Sequence, residues 1–154
     1  MLQEDRTEFK VLHSNCQGFI SKQPSIDDIL LNKTPDVYVF NETALKGKRK
    51  INAKNYFLYC KNREKHMGGV ATVVSNHLRQ HTVKVSEGRE GDEYLITSFG
   101  HVHPPINIVN IYGQQEKGDA ENGKKENVLE SWNRLIQDLK DLERGISVDY
   151  WRSQ

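Results

Sequence analysis

The sequence predicts an α/β fold, a layered sandwich in which short strands and amphipathic helices pack together. The chain has 154 residues, about the length of one domain. Apolar residues make up 36% of it and cluster into periodic runs, so a packed core is expected although 28% of the residues are charged. No run approaches the roughly 20 apolar residues that span a bilayer, and the start lacks a signal-peptide core. These features exclude a disordered chain and argue against membrane and secreted proteins.

The first strand and the first helix are predicted before residue 36. Residues 8–15 have the polarity pattern of a strand, and a Gln-Gly turn follows them. Ser25, directly after Pro24, is a good N-cap residue with Asp28 three positions on, so the spacing predicts a helix that begins there. Pro35 is expected to end that helix.

Five further strands and one long helix follow. Residues 37–40 form a continuous apolar run, which is typical of a strand buried on both faces. Apolar residues at three- and four-residue spacing predict a helix over residues 128–142, with Asn127 and Glu130 as its capping pair. The expected domain has about six strands and two helices. The remaining strand candidates are Tyr56–Cys60, Val70–Ser75, Glu93–Phe99 and Ile106–Tyr112.

Charge and cysteine content bear on partners and location. The formal net charge is +1, which does not suggest a uniformly cationic surface for nucleic acid. Eight Lys or Arg residues nevertheless lie between Lys46 and His66, with Glu64 as the one acid among them. Cys16 and Cys60 fit neither a disulfide framework nor a zinc ribbon, which favours an intracellular location. The Lys-Gly-Lys-Arg-Lys run is also typical of nuclear localisation signals, so nucleus and cytoplasm both stay open.

Three predicted strands end in residues that carry chemistry. Asn15 follows the first strand, Glu42 the second and Tyr112 the last. From the residues alone each has an ordinary alternative. Glu42 is then a solvated acid or helix cap, Asn15 a turn residue and Tyr112 a packing aromatic. Their shared position at strand ends favours one polar rim of the sheets, where a site would form.

Four short motifs place these residues in a wider pattern. Together they resemble the endonuclease/exonuclease/phosphatase superfamily, whose fold is a deoxyribonuclease I-like sandwich, and they look most similar to the endonuclease domains of non-LTR retrotransposons. The resemblance covers residues 9–142. In chain order the motifs are Ser14-Asn15-Cys16-Gln17-Gly18, Pro35-Asp36-Val37 through Asn41-Glu42-Thr43, Gly68-Gly69-Val70-Ala71, and Asn110-Ile111-Tyr112-Gly113-Gln114.

The resemblance implies a divalent-metal site for phosphodiester hydrolysis on DNA. It implies that Glu42 binds Mg²⁺, for which Mn²⁺ can substitute, and that Asn15 helps to hold the metal. Tyr112 would contact the scissile phosphate. A hard cation held by carboxylate and amide oxygens suits this chemistry, because negative charge grows on the phosphate during the reaction.

Part of the superfamily pattern does not occur in this sequence. Superfamily members continue into a strand that ends in Gly-Asp-x-Asn and finish with Ser-Asp-His, and the chain has neither motif. Gly118-Asp119 is expected to be loop, Asp149 to be at best a degraded remnant, and His101-Val102-His103 to be a solvated loop rather than a metal site. We therefore expect a partial domain over residues 1–154, with a divergent tail at 145–154. Such a domain would be weak or inactive alone, with an exposed sheet edge open to self-association.

A basic stretch follows Glu42, where the resemblance would place DNA phosphates. The alternative is that these residues only solubilise a loop and an edge strand. Three functions stay open: a DNA endonuclease, a non-catalytic remnant that binds nucleic acid or a protein partner through residues 46–65, and a phosphatase or phosphodiesterase of the same superfamily. The basic candidates are Lys46, Lys48, Arg49, Lys50, Lys54 and Arg63.

Overall fold

The computed structural model describes residues 9–45, 55–61, 68–79, 81–89, 92–101, 104–112 and 122–143. Within these residues there are seven strands and three helices. The strands form two sheets, with the orders β1-β2-β4-β3 and β5-β6-β7. In chain order the elements are β1 (Val11–Asn15), α1 (Phe19–Lys33), β2 (Val37–Asn41), β3 (Tyr56–Lys61), β4 (Val70–Ser75), α2 (Asn76–Arg79), β5 (Thr82–Ser86), β6 (Tyr94–Phe99), β7 (Ile106–Ile111) and α3 (Asn122–Glu143).

Strand β2 shows how the layers are ordered. All five of its residues are buried. Val37 and Val39 cluster with Phe99 of the second sheet, whereas Tyr38 and Phe40 belong to the cluster that includes α1. Because successive side chains of a strand face opposite ways, β2 is covered by the second sheet on one face and by α1 on the other.

Helix α3 covers the outer face of the second sheet. Its Leu135 packs with Tyr94 and Ile96 in a third buried cluster. Neither α3 nor any other helix in the described part of the chain has the length and apolar character needed to cross a membrane. The layers run helix, sheet, sheet, helix, and the predicted α/β sandwich is confirmed.

The strand predictions agree with the structure except at two places. The strands predicted from residue 37 onward all occur, and their ends move by at most one residue. β1 is shorter than predicted, since it begins at Val11. α2 and β5 were not predicted from the sequence, so the expected six strands and two helices are corrected to seven and three among the described residues. β5 pairs with β6 alone among the described strands, and such an edge strand needs few apolar residues.

Helix α1 begins at Phe19 rather than at the predicted Ser25, and Pro24 lies inside it. Two long-range backbone bonds hold its start, from the Phe19 N–H to the Thr43 carbonyl (2.8 Å) and from the Gly18 N–H to the Glu42 carbonyl (2.9 Å). The Phe19 side chain is also buried. These contacts offset the helical hydrogen bond that a proline cannot donate.

Helix α3 begins at Asn122, so Asn127 is not its cap as predicted. Its predicted apolar stripe is only partly buried. Leu135 is 3% exposed, whereas Leu129 and Trp132 are 62% and 43% exposed. The helix is therefore turned away from the orientation that would bury the whole stripe.

Polar side chains share the packing face of α3 and account for this orientation. The Tyr94 hydroxyl donates to Asp138 Oδ2 at 2.6 Å, and Arg134 Nε donates to Asp92 Oδ2 at 2.7 Å. Both acids are buried. Burial, reinforced by the hydrogen bond to Asp138, raises the pKa of Tyr94, so its hydroxyl remains a donor at neutral pH.

We expect Thr72→Val to stabilise the protein by about 1 kcal/mol, because the buried Thr72 hydroxyl has no hydrogen-bond partner among the described residues. Urea unfolding measures the change. Thr82→Val is the matched control, since the Thr82 hydroxyl does donate, to the Leu78 carbonyl at 3.4 Å, and its loss is not expected to stabilise. A lower free energy of unfolding for Thr72→Val would contradict the prediction.

Candidate functional site

The ends of β1 and β2 lie side by side at one edge of the first sheet. The two strands are parallel, and Asn15 pairs in register with Asn41. The segments that follow stay together, because the Cys16 N–H donates to the Asn41 carbonyl at 3.1 Å and the Gly18 N–H to the Glu42 carbonyl. Asn15 and Glu42, predicted to share one rim, therefore do so.

Glu42 has an unusual backbone conformation. Its φ is 54°, in the left-handed region that non-glycine residues rarely adopt. The following residues are pinned to the segment before β4, by bonds from the Thr43 N–H to the Gly69 carbonyl (3.4 Å) and from the Ala44 N–H to the Gly68 carbonyl (2.9 Å). Such a conformation costs roughly 1–3 kcal/mol and is found preferentially at functional sites.

Tyr112 reaches Glu42 from the other sheet. It directly follows β7, and its N–H donates to the Glu93 carbonyl at 2.9 Å. Its hydroxyl donates to Glu42 Oε1 at 3.1 Å, across 70 positions of sequence. The structure thus brings Asn15, Glu42 and Tyr112 to one end of the sandwich, with a direct contact between the last two.

Two buried asparagines and a histidine lie next to these residues. Asn41 Nδ2 donates to Asn110 Oδ1 at 3.0 Å, and Asn41 Oδ1 contacts His13 Nε2. None of these three side chains was assigned a role from the sequence. The available signal was the presence of asparagine within or at the end of strands that are otherwise apolar, since buried amides require partners.

The thiol of Cys16 lies beside the Glu42 backbone. It is buried, and its Sγ donates weakly to the Asn41 carbonyl at 3.5 Å. Burial raises the pKa of the Cys16 thiol, and the negative charge of Glu42 acts in the same direction. The protonated form, which is a poor nucleophile, therefore dominates at neutral pH.

A depression of about 180 Å³ lies next to Asn15, between α1 and strands β1 and β2. Ile26 and Phe40 contribute apolar lining, and the exposed Lys22 contributes a cation. Lys22 could not be singled out from the sequence, because it is a lone lysine before the predicted helix and has no motif around it. Lys22 lies on the α1 face of the first sheet, opposite the face on which Asn41 contacts the second sheet.

The side chains at this edge suit a hard metal ion. The Glu42 carboxylate and the Asn15 carboxamide offer oxygen ligands, which Mg²⁺ and Mn²⁺ prefer. Within the described ranges no three His, Cys, Asp or Glu side chains come together to hold a metal. Mg²⁺ does not need such a cluster, because it commonly keeps several waters and binds one or two carboxylates. The residues present therefore fit this ion.

Several sequence-predicted residues lie outside the described part of the chain. His101 is described and exposed, and its ring lies 5.4 Å from the His81 ring and 6.0 Å from the Phe9 ring. The predicted residues that lie outside the described part of the chain are Lys46, Lys48, Arg49, Lys50, Lys54, Arg63, His103, Gly118, Asp119 and Asp149.

Comparison with known proteins gives matches of structure and not of sequence. No protein-family model and no curated protein matches the chain. A 3′ phosphatase, NExo, from Neisseria, in a structure bound to product DNA hairpin, aligns with a TM-score of 0.67 at 17% identity, over 89% of this chain and 53% of that one. An AP endonuclease from Archaeoglobus fulgidus aligns with a TM-score of 0.66 at 20% identity, over 92% of this chain and 53% of that one.

A 3′-5′ exonuclease from Neisseria meningitidis gives a similar result, with a TM-score of 0.65 at 18% identity. The chain spans about half the length of each of these proteins. Identities this low establish the fold alone. The fold is that of the deoxyribonuclease I-like exonucleases and AP endonucleases, as the strand-end motifs of the sequence predict.

Proposed function

We propose that this chain carries the metal-binding part of a Mg²⁺-dependent phosphodiesterase that acts on DNA. The observation that carries the proposal is the 3.1 Å contact between the Tyr112 hydroxyl and Glu42 Oε1, which joins the ends of two sheets beside Asn15. A half-buried carboxylate, held in a strained backbone conformation at such an edge, is a typical arrangement for a functional group.

Each residue has a defined part in this proposal. Glu42 and Asn15 would hold Mg²⁺, or Mn²⁺ in its place, through their side-chain oxygens. The ion would neutralise charge on the phosphodiester as it is attacked. Tyr112 donates its single hydroxyl proton to the Glu42 carboxylate in the absence of substrate, and would donate it to a phosphate oxygen instead when the carboxylate holds the metal.

The choice of DNA as substrate is supported by the structural neighbours. One of them was solved with a product DNA hairpin, and the three are a 3′ phosphatase, an exonuclease and an AP endonuclease. The similarity of the motifs to retrotransposon endonuclease domains makes endonuclease our first choice. A phosphatase of the same superfamily is the alternative, and release of phosphate from 3′-phosphorylated DNA without any nicking would favour it.

We propose weak hydrolysis, at most, by these 154 residues alone. The superfamily resemblance implies that the Gly-Asp-x-Asn and Ser-Asp-His motifs supply the groups that activate water and protonate the leaving oxygen, and the sequence contains neither. Residues 46–65 would then contribute affinity for nucleic acid more than catalysis. A nuclear location would suit this substrate.

Nicking of supercoiled plasmid in the presence of Mg²⁺ tests the proposal. We expect slow nicking that requires the metal and falls by about a hundredfold or more in Glu42→Gln, because loss of a metal ligand removes several kcal/mol of transition-state stabilisation. Asp27→Asn is the matched control, since Asp27 is an exposed carboxylate on α1, and it is expected to nick like the wild type.

Calorimetric titration with Mg²⁺ is the second arm, and circular dichroism checks that every variant is folded. Binding by the wild type and by Asp27→Asn, but not by Glu42→Gln, supports the metal site even where nicking is slow. Folded wild-type protein that neither binds Mg²⁺ nor nicks the plasmid would contradict the proposal. Salt-dependent DNA binding that persists in Glu42→Gln without metal would favour the non-catalytic alternative.

A further inference from the structure

The ends of β2 and β7 are joined by two carboxamides inside the sandwich. Asn41 Nδ2 donates to Asn110 Oδ1 at 3.0 Å and to the Ile111 carbonyl at 2.9 Å. Asn41 is 8% exposed and Asn110 is 1% exposed. Because the two strands belong to different sheets, this amide bridge crosses from one sheet to the other.

Asn110 extends the bridge into the centre of the first sheet. Its Nδ2 donates to the Phe40 carbonyl at 3.1 Å and to the Ala71 carbonyl at 2.9 Å. Phe40 and Ala71 face each other in the register of β2 and β4. One side chain of the second sheet thus fastens two adjacent strands of the first.

Every polar atom of the two carboxamides has a partner. Both amide hydrogens of Asn41 and both of Asn110 are donated, and the oxygen of Asn110 accepts from Asn41. The oxygen of Asn41 accepts from Nε2 of His13. A buried network that is fully satisfied specifies one arrangement of its members more strictly than apolar packing does.

The amide bridge lies directly before the two site residues that touch, since Asn41 is one residue before Glu42 and Asn110 is two residues before Tyr112. Asn41 precedes Glu42, and the Ile111 carbonyl that it binds belongs to the peptide unit leading into Tyr112. The bridge therefore fixes the separation of the two strand ends whose side chains meet at 3.1 Å. It also anchors the backbone just before the strained φ of Glu42.

We infer that Asn41 and Asn110 are positioning residues, which hold the Glu42 carboxylate against the Tyr112 hydroxyl. The inference rests on the proposed function for the role of Glu42, whereas the hydrogen bonds of the amide bridge are observed independently of that role. General cohesion of the sheets has another source. Val39, Val74 and Phe99 already form a buried apolar cluster between them, so the amide bridge sets the relative position of the strand ends at the site.

The test uses a double variant, Asn41→Leu with Asn110→Leu, which replaces both partners by apolar groups of similar size. Removing both partners makes the loss of the Asn41–Asn110 bond itself nearly neutral, but the Phe40, Ala71 and Ile111 carbonyls each lose a donor, so a folded protein of reduced stability is expected. The readout is the ¹³C carboxyl resonance of Glu42, measured without metal or DNA and assigned with Glu42→Gln. Tyr112→Phe gives the resonance position when the hydroxyl is absent.

We expect the double variant to move the Glu42 resonance most of the way to its position in Tyr112→Phe. Asn107→Ala is the matched control, because Asn107 is an exposed asparagine on the same strand, bonded to Ser98 Oγ at 2.6 Å. Its Glu42 resonance is expected to stay at the wild-type position. A folded double variant with an unshifted Glu42 resonance would overturn the inference.

If the double variant does not fold, Asn41→Ala is measured in its place. The Glu42 carboxyl resonance is expected to shift in this variant in the same direction, towards its position in Tyr112→Phe. Nicking then separates this inference from the proposed function. Where the wild type nicks, a misplaced carboxylate is expected to cost up to about a hundredfold in rate. Where it does not nick, the shift of the resonance still decides whether the amide bridge positions Glu42.

Discussion

Replacing Arg134 by methionine is expected to lower the free energy of unfolding by about 3–5 kcal/mol. Arg134 donates from Nε to Asp92 Oδ2 at 2.7 Å and from Nη2 to Oδ1 at 2.5 Å. The Asp92 side chain is only 1% exposed, so the variant leaves a buried carboxylate without its cation. Breaking a buried pair on one side costs this much because the remaining charge is not solvated. Chemical denaturation measures the loss.

Glu130→Gln is the control for this variant. Glu130 lies 3.9 Å from Arg134, one helical turn earlier, and its side chain is 66% exposed. An exposed pair of this kind contributes less than about 1 kcal/mol. Equal losses in the two variants would show that the Arg134–Asp92 pair does not hold α3 to the second sheet.

The same pair predicts the pH dependence of stability. Burial alone would raise the pKa of Asp92, but hydrogen bonds from Arg134, from the Arg89 backbone and from Ser131 outweigh it and lower the pKa to about 2. The folded pKa is below the ordinary value of 3.8, so the contribution is present above that value and is lost as the pH falls towards 2. We expect urea unfolding to show this fall, and expect Arg134→Met to lack it.

Phe40→Ala is expected to lower the free energy of unfolding by about 3–5 kcal/mol, the usual cost of removing a large buried aromatic ring. Phe40 is fully buried, stacked on Tyr38 at 4.1 Å between ring centroids and edge-on to Phe19 at 5.1 Å. The ring therefore joins α1 to the first sheet two residues before Glu42. Unfolding in urea, followed by circular dichroism, measures the effect.

Leu31→Ala controls for the loss of apolar side-chain atoms in this region. Leu31 lies on α1 and is 77% exposed, so its truncation creates no cavity and is expected to change stability by less than about 0.5 kcal/mol. A loss below about 1 kcal/mol for Phe40→Ala would mean that the contact between α1 and the first sheet is not part of the stable core.

Most strands were predictable because their signal is local. The Val37–Phe40 run is apolar at every position, and the structure buries both faces of β2. Val70–Ser75 occurs with the predicted bounds. The start of α1 at Phe19 could not be predicted in the same way, because backbone bonds to Glu42 and Thr43, distant in sequence, hold it there.

The candidate site likewise has some residues with a local sequence signal and others that only long-range contacts identify. Asn15, Glu42 and Tyr112 could be found from the sequence, because each ends or directly follows a strand and lies in a recognisable motif. Their roles stay predictions, but their placement at one end of the sandwich is a finding of the structure. Asn41 and Asn110 lie in the same motifs, but their role could not be assigned from them, since it comes from the contact of the two side chains across 69 positions of sequence.

The sequence by itself determined the fold class, the strand-rich order of elements and the residues that end the strands at the site. Hydrophobic period and turn chemistry act between near neighbours, and they can be read from a single chain. Only the tertiary structure decided which buried polar groups meet, as in the amide bridge and the Arg134–Asp92 pair. A buried polar group is stabilised by a partner in space, and the position of that partner is set when the sheets and helices pack.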